Sequence, residues 1–261
     1  MNKYHLIITT SMFHFIKKHL AASAIFFLSI GLAACGGGDS SSSSSPTLNL
    51  NAAYTGYVKA GSTITGDISG YCQGTRKLTF TPTVSGKTLS GVAALISNEI
   101  ETDSLVAGSS EFCKSFYSFN GSTSNPIYYD PTNVTPITSG ATKNGYPLGY
   151  VYSNQAAPPT SVTAGATGTI ATYLAYTGDS SRPSTSGTIT WTVTADTATT
   201  LLWTTTDSRK VYETEALIYN SITTYRINAD NTLIALYKNI QATTIATMGQ
   251  GNQDIKETYK Y

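Results

Sequence analysis

Between positions 188 and 194 the chain reads Thr-Ile-Thr-Trp-Thr-Val-Thr. Successive side chains of a strand point to opposite faces, so Ile189, Trp191 and Val193 share one face and the threonines the other, whereas a helix would scatter both sets. The segment therefore reads as a half-buried β-strand. The same enrichment in Thr, Tyr, Val and Ile, broken by clusters of Gly, Asn, Asp and Pro roughly every ten residues, continues through the chain beyond residue 47 and predicts many short antiparallel strands. After 188–194, strands are expected at 201–206, 211–219, 222–227 and 233–237, with Asn228-Ala229-Asp230-Asn231 as a hairpin turn. Short sequential connections imply a meander.

Upstream, strands are expected at 54–59, 78–81, 92–101 and 112–119. The stretch 120–160 carries Asn120-Gly121, Asn144-Gly145 and six prolines from Pro126 to Pro159, which reads as a long functional loop or a hinge between two lobes. Only residues 92–96 come near a helical apolar period, and no repeat of fixed length points to a propeller or solenoid. The fold class that follows is all-β, an antiparallel meander forming a β-sandwich or a partly closed barrel.

The N-terminus has a different character. Lys3, Lys17 and Lys18 are its only charged residues apart from histidines, and an apolar run over 20–32 leads to Leu32-Ala33-Ala34-Cys35. That run is about 13 residues against the ~20 a spanning helix needs, and it fits a secretory signal with small residues before the cut. Met12 could equally start a complete signal. Leu-Ala-Ala-Cys resembles the lipobox of bacterial lipoproteins, and the resemblance implies that Cys35 is acylated and the signal removed just before it. Residues 1–34 are then the signal peptide, 35–46 the lipidated cysteine with a Gly/Ser linker, and 47–261 the all-β domain.

Gly36-Gly37-Gly38-Asp39 and the serines at 40–45 have no apolar period and read as a flexible tether with a reach of about 18 Å. By the same resemblance to Gram-negative lipoproteins, Gly36 in place of an Asp directly after the cysteine implies delivery to the outer membrane, anchored by lipid on its periplasmic face or at the cell surface. The chain as a whole is similar to proteobacterial lipoproteins without assigned activity. Gly70-Tyr71-Cys72-Gln73-Gly74 and the segment 159–165 carry that likeness, and it implies no chemistry.

Removal of the signal also removes His5, His14 and His19, which are all three histidines of the chain. Ser-His-Asp and Cys-His arrangements and most zinc sites need an imidazole, so no catalytic residue, metal site or cofactor is assigned, and a non-enzyme is expected. The 16 basic residues fall to 13 against 15 acidic, a net charge of −2, which offers no field for nucleic acid. Glu99, Glu101 and Asp103 alternate on one face, as do Glu213 and Glu215. They read as solvated strand faces, with a carbohydrate-active enzyme using paired carboxylates as the alternative.

Cys72 and Cys113, a pair in an oxidising compartment, are expected to form a disulfide. Tyrosines crowd the middle of the chain, and Tyr128, Tyr129, Tyr146, Tyr150 and Tyr152 are the candidate binding surface for a glycan or another envelope protein; core pairing within a Tyr/Thr-rich sheet is the competing reading. A transmembrane barrel is a further alternative, because Tyr259 and Tyr261 end the chain with aromatics. Threonine on both strand faces and the lipid anchor argue against it.

Overall fold

The computed structural model describes residues 45–117, 122–143, 146–177, 181–243 and 252–260. The signal, Cys35 and nearly all of the tether lie outside the described residues. The strands are β1 (Ser62–Gly70), β2 (Gly74–Phe80), β3 (Val84–Lys87), β4 (Ala93–Leu105), β5 (Ser122–Tyr129), β6 (Pro136–Lys143), β7 (Tyr146–Ser153), β8 (Thr167–Thr177), β9 (Thr185–Ala195), β10 (Leu201–Val211), β11 (Leu217–Ile227), β12 (Leu233–Thr243) and β13 (Asn252–Lys260). Two helices accompany them, α1 (Leu50–Ala60) before β1 and α2 (Glu111–Phe116) between β4 and β5.

All strand pairings are antiparallel and, apart from the short β3, every strand pairs with its successor in the chain. The first and last strands then pair with each other, Gly66 opposite Tyr259 and Ile68 opposite Glu257, which closes a 12-strand barrel. Strand β3 stays outside the ring, on the end of β4 that β2 leaves free. The expected meander is present, and it forms a closed barrel rather than a sandwich, so no sheet edge is left at the two termini.

Period two decides which side chains fill this barrel. Ile64, Ile68, Arg76, Leu78, Trp191, Val193, Trp203, Tyr225, Glu257 and Tyr259 turn inward, and Thr188, Thr190, Thr192 and Thr194 of β9 turn outward with Thr63, Thr65, Asp67 and Ser69 of β1 and Asp254, Lys256, Thr258 and Lys260 of β13. Outward apolar residues are interrupted: Leu202 lies between Thr194 and Arg226, and Ile222 between Thr206 and Asn239.

Helix α1 caps one end of the barrel and corrects the strand expected at 54–59. Leu50, Ala53, Tyr54, Tyr57 and Val58 fall at i, i+3, i+4, i+7 and i+8, the apolar stripe of a helix, and they pack on the barrel's interior. Asn49 caps the helix, its side-chain oxygen accepting from the Ala52 N–H at 2.9 Å. Gly61 ends it at φ +70°, where a Cβ would stand 2.4 Å from the Phe80 carbonyl oxygen, so the chain can turn into β1 only with glycine there.

Three further expectations are corrected. Residues 112–119 begin in α2, which Ser110 caps by accepting from Cys113 N, rather than in a strand. The described residues of 120–160 supply β5, β6 and β7 rather than one long loop, with Pro126 on the outward face of β5, Pro131 in a turn, Pro136 and Pro147 at strand starts, and Pro158 and Pro159 in the connection from β7 to β8. The separate strands at 211–219 and 222–227 are a turn followed by β11.

Glycines on β1, β8 and β9 face aromatic partners across the ladder: Gly66 and Tyr259, Gly168 and Trp191, Gly187 and Tyr173. In each pair the ring lies where a Cβ would stand, within 2.9 Å. The missing side chain admits the ring flat against the neighbouring strand.

At the other end, Cys72 and Cys113 stand at disulfide distance, Cα to Cα 5.6 Å, joining the β1–β2 turn to α2. They pack with Ile68, Leu105, Tyr117, Ile240 and Ile255. Closing a loop of 41 residues constrains the unfolded chain. A Cys72→Ser/Cys113→Ser double variant should still form the barrel and lose about 2–4 kcal/mol of unfolding free energy. Urea titration of the two proteins is the measurement, and equal midpoints would show that the bridge contributes nothing.

Candidate functional site

The barrel interior holds two kinds of side chain in separate regions. Beneath α1 it is aromatic: Tyr54 and Tyr225 pack on Trp203 with ring centroids 5.9 and 5.2 Å away, and Tyr57 lies 5.9 Å from Tyr225. Between the helix and the wall these rings, with Val58, Phe80, Ser97, Tyr129, Ile170, Ile189, Thr205 and Leu233, line a cavity of about 180 Å³. Burial pushes the phenols of Tyr54 and Tyr129 above their ordinary value, so they remain neutral. The indole Nε1–H of Trp203, a residue only 2% exposed, has no acceptor among the described residues.

Further along the lumen the wall becomes charged. Arg76 on β2 meets Glu101 Oε2 at 2.7 Å and Asp103 Oδ1 at 3.1 Å on β4, and Glu257 Oε1 at 2.9 Å on β13. The Glu257 carboxylate also accepts from the hydroxyls of Tyr117 at 3.0 Å and Tyr259 at 2.9 Å. The guanidinium lies 5.2 Å from the Tyr117 ring centroid. Burial works against the Arg76 cation, but Glu257, Glu101 and Asp103 outweigh it and hold it charged.

Burial likewise pushes the Glu257 carboxyl up, and Lys238 and Arg76 together with the two tyrosine hydroxyls more than reverse this, so it stays below the usual carboxylate range. Glu99 goes the other way. Burial and the like charge of Glu101 raise it against the pull of Lys238 and Arg76. Glu99 thus holds its proton to higher pH than an ordinary carboxyl, in a cluster of four inward carboxyls against Arg76 and Lys238.

A second charged cluster stands on β10. Arg209 Nε donates to the Tyr173 hydroxyl at 3.1 Å, and the guanidinium lies 3.6 Å from Asp207 and 5.0 and 4.8 Å from the ring centroids of Tyr150 and Tyr219. Rings on the cation supply the attraction that water would otherwise give.

The structure redistributes the residues singled out from sequence. Tyr128 and Tyr129 are buried rather than displayed on a surface, Tyr128 on the outward face of β5 and Tyr129 against Val58 and Val134 inside. Tyr150 and Tyr152 turn into the lumen, where each makes an edge-on contact with Tyr173. The side chain of Tyr146 lies outside the described residues. Among the described residues, the four tyrosines Tyr128, Tyr129, Tyr150 and Tyr152 form no exposed groove, as the core reading expects.

Glu99, Glu101 and Asp103 do share one face, but it is the inner face, which corrects the solvated reading. Glu213 and Glu215 sit exposed in the β10–β11 turn beside Arg182 and Lys210. Sequence reading missed Arg76, Glu257, Asp207, Arg209 and Trp203. The signal was present: Glu257 alternates with Ile255 and Tyr259, and Asp207 and Arg209 continue the inward series of Trp203 and Thr205. A charge in register with an apolar face marks an interior partner.

No protein-family model matches the chain, and neither curated proteins nor solved structures give a match to it.

The ionic cluster has a definite pH signature. The Glu257 carboxyl is held below its unfolded value, so its contribution is present at neutral pH and lost as pH falls through the carboxylate range. Arg76→Met strands carboxyls without their cation and should cost about 3–5 kcal/mol near neutral pH. The stranded carboxyls then titrate above their unfolded values, so the penalty should shrink as pH falls from about 7 to about 4. Chemical unfolding of both proteins across that range tests this, and curves that stay parallel would refute it.

Proposed function

We propose that this chain is an envelope lipoprotein, tethered by acylated Cys35 to the outer membrane, whose closed barrel stands in water as a binding module. The observation that carries this reading is the outward face of β1, β2, β9, β10, β11 and β13. A barrel that spans a bilayer shows lipid an apolar band about 25 Å tall. Here the outward positions of β1, β2, β9 and β13 are Thr, Ser, Asp and Lys, including Lys77, Lys256 and Lys260, and the outward apolar residues of β10 and β11 alternate with Thr, Asn and Arg. Charged side chains at mid-strand would cost about 2–4 kcal/mol each against lipid. The described helices include none long and apolar enough to cross a membrane.

Attachment is then left to the lipid. Each buried CH₂ contributes ~0.8 kcal/mol, and more than one chain holds a protein stably. The tether lets the barrel clear the headgroups, and a role in binding rather than catalysis is supported by the state of the carboxylates. Glu101, Asp103 and Glu257 converge as paired acids would, but Arg76 engages all of them, and tyrosine hydroxyls occupy Glu257 further.

The test is Cys35→Ala. The variant should lose label from a palmitate analogue and either keep its signal uncleaved or, once the signal is cut, leave the membrane fraction in a detergent-free wash, carrying its folded barrel with it. Retention of an unlabelled variant whose signal has been removed would overturn the tether and restore a spanning barrel.

A further inference from the structure

We infer that the tip of the hairpin formed by β3 and β4 is a membrane-docking element, and that its partner is the phospholipid surface holding the acyl chains of Cys35. The inference rests on the tether proposed above and adds which end of the barrel faces the lipid. Pairing of β4 with β2 stops at Glu99 and with β5 at Leu95, whereas β3 runs on beside β4 until Lys87 stands opposite Ala93. Residues 87–93 thus reach beyond the ladders of both neighbouring strands. Val84, Leu89 and Val92 on this hairpin are 62, 58 and 55% exposed, the three most exposed large apolar side chains among the described residues.

The turn holds its tip in this form. The Thr88 N–H donates to the Val92 carbonyl at 2.7 Å, the Gly91 N–H to the Thr88 carbonyl at 2.9 Å, and the Val92 N–H to Thr88 Oγ1 at 3.1 Å. Leu89 therefore stands where a turn ordinarily carries Gly, Asn, Asp or Ser. Apolar side chains clustered in water mark an interaction site. Charge and position select lipid as the partner. From 81 to 98 the only charged residue is Lys87, which is exposed. A lysine on an apolar tip suits the headgroup region, its stem along the acyl boundary and its ammonium among phosphates.

The tether enters at the same end. Leu48 exchanges backbone hydrogen bonds with Val162 at 3.0 and 2.9 Å, α1 follows, and Val58 of α1 packs in one cluster with Leu95 at the base of the hairpin. Cys35 lies ten residues before Ser45, a taut span of about 35 Å, which keeps the lipid within reach of this end. The opposite end exposes Val106, Tyr212 and Leu217, but beside the exposed carboxylates of Glu111, Glu213 and Glu215, which an anionic leaflet repels. A tip of three apolar side chains binds weakly on a free protein. On a tethered one the surface is always at high effective concentration.

The test uses the full acylated chain in vesicles of phosphatidylethanolamine and phosphatidylglycerol, with and without brominated acyl chains. The two native tryptophans, Trp191 and Trp203, are buried, so an indole added at an exposed position is read against them. Brominated lipid should quench the emission added by Leu89→Trp and by Val92→Trp and leave that added by Leu217→Trp unchanged. Lys87→Gln, placed in the Leu89→Trp protein, should lower the ratio of docked to free barrels roughly five-fold, the effect of one cation at an anionic surface. Equal quenching at both ends, or none of Leu89→Trp, would overturn the docking. A Leu89→Trp emission shifted to the blue without quenching would assign the tip to a second copy of the chain and overturn lipid as its partner. Absence of palmitate label on Cys35 would overturn the tether and this inference with it, whereas labelled protein with an unquenched tip overturns the docking alone.

Discussion

A single buried guanidinium holds together the place where the chain meets itself. Strands β13, β1, β2 and β4 run side by side, and Arg76 on β2 reaches Glu101 and Asp103 on one side and Glu257, two strands away, on the other. Gly66 on the intervening β1 has no side chain to block the reach, and the Tyr259 ring occupies the space beside it. Every other pairing in the ring joins neighbours along the chain, whereas β1 with β13 must bring together the two ends of the domain. Such long-range closure carries the largest loop-entropy cost in a meander, and the ionic cluster stands at that seam.

Closure of 12 strands also sets the problem that the rest of the interior solves. Eight strands enclose a space that side chains can fill, and a wider ring leaves room over. The chain fills one end with α1 and the ring stack of Tyr54, Trp203 and Tyr225, and the other with α2, the cysteine pair and Tyr117. Between them stand paired charges and tyrosines, which take up volume and satisfy one another. The remaining space under α1 follows from the same geometry, since a helix of 11 residues cannot pack every inward ring of so wide a barrel.

The barrel's strands were legible wherever only one face is apolar. The segment 188–194 shows its face directly, as do 201–206 and 222–227. Segments whose inward face mixes charge with apolar groups were harder to read. In β13, Glu257 between Ile255 and Tyr259 obscures the alternation, and in β1, Gly66 does the same between Ile64 and Ile68. Residues 54–59 look like a strand by type because Tyr54, Tyr57 and Val58 favour strands, although their spacing from Leu50 and Ala53 is helical; in α1, tertiary packing overrides propensity. The tyrosine-rich middle was recognised as unusual, but exposure cannot be told from composition, and closure of the ring turned Tyr150 and Tyr152 inward. The lipobox resemblance, by contrast, rests on Leu32-Ala33-Ala34-Cys35 as sequence alone, because these residues lie outside the described ones.

Native-state hydrogen exchange at the seam tests closure most directly. The pairing of β1 with β13 predicts that the ladder amides within 65–69 and 255–259 are protected to an extent comparable with those of β9 and β10, and that Arg76→Met lowers protection at the seam before it does so in β9 and β10. Seam amides that exchange as an unpaired edge would, while β9 and β10 stay protected, would mean that the sheet is open and that the ionic cluster does not close it.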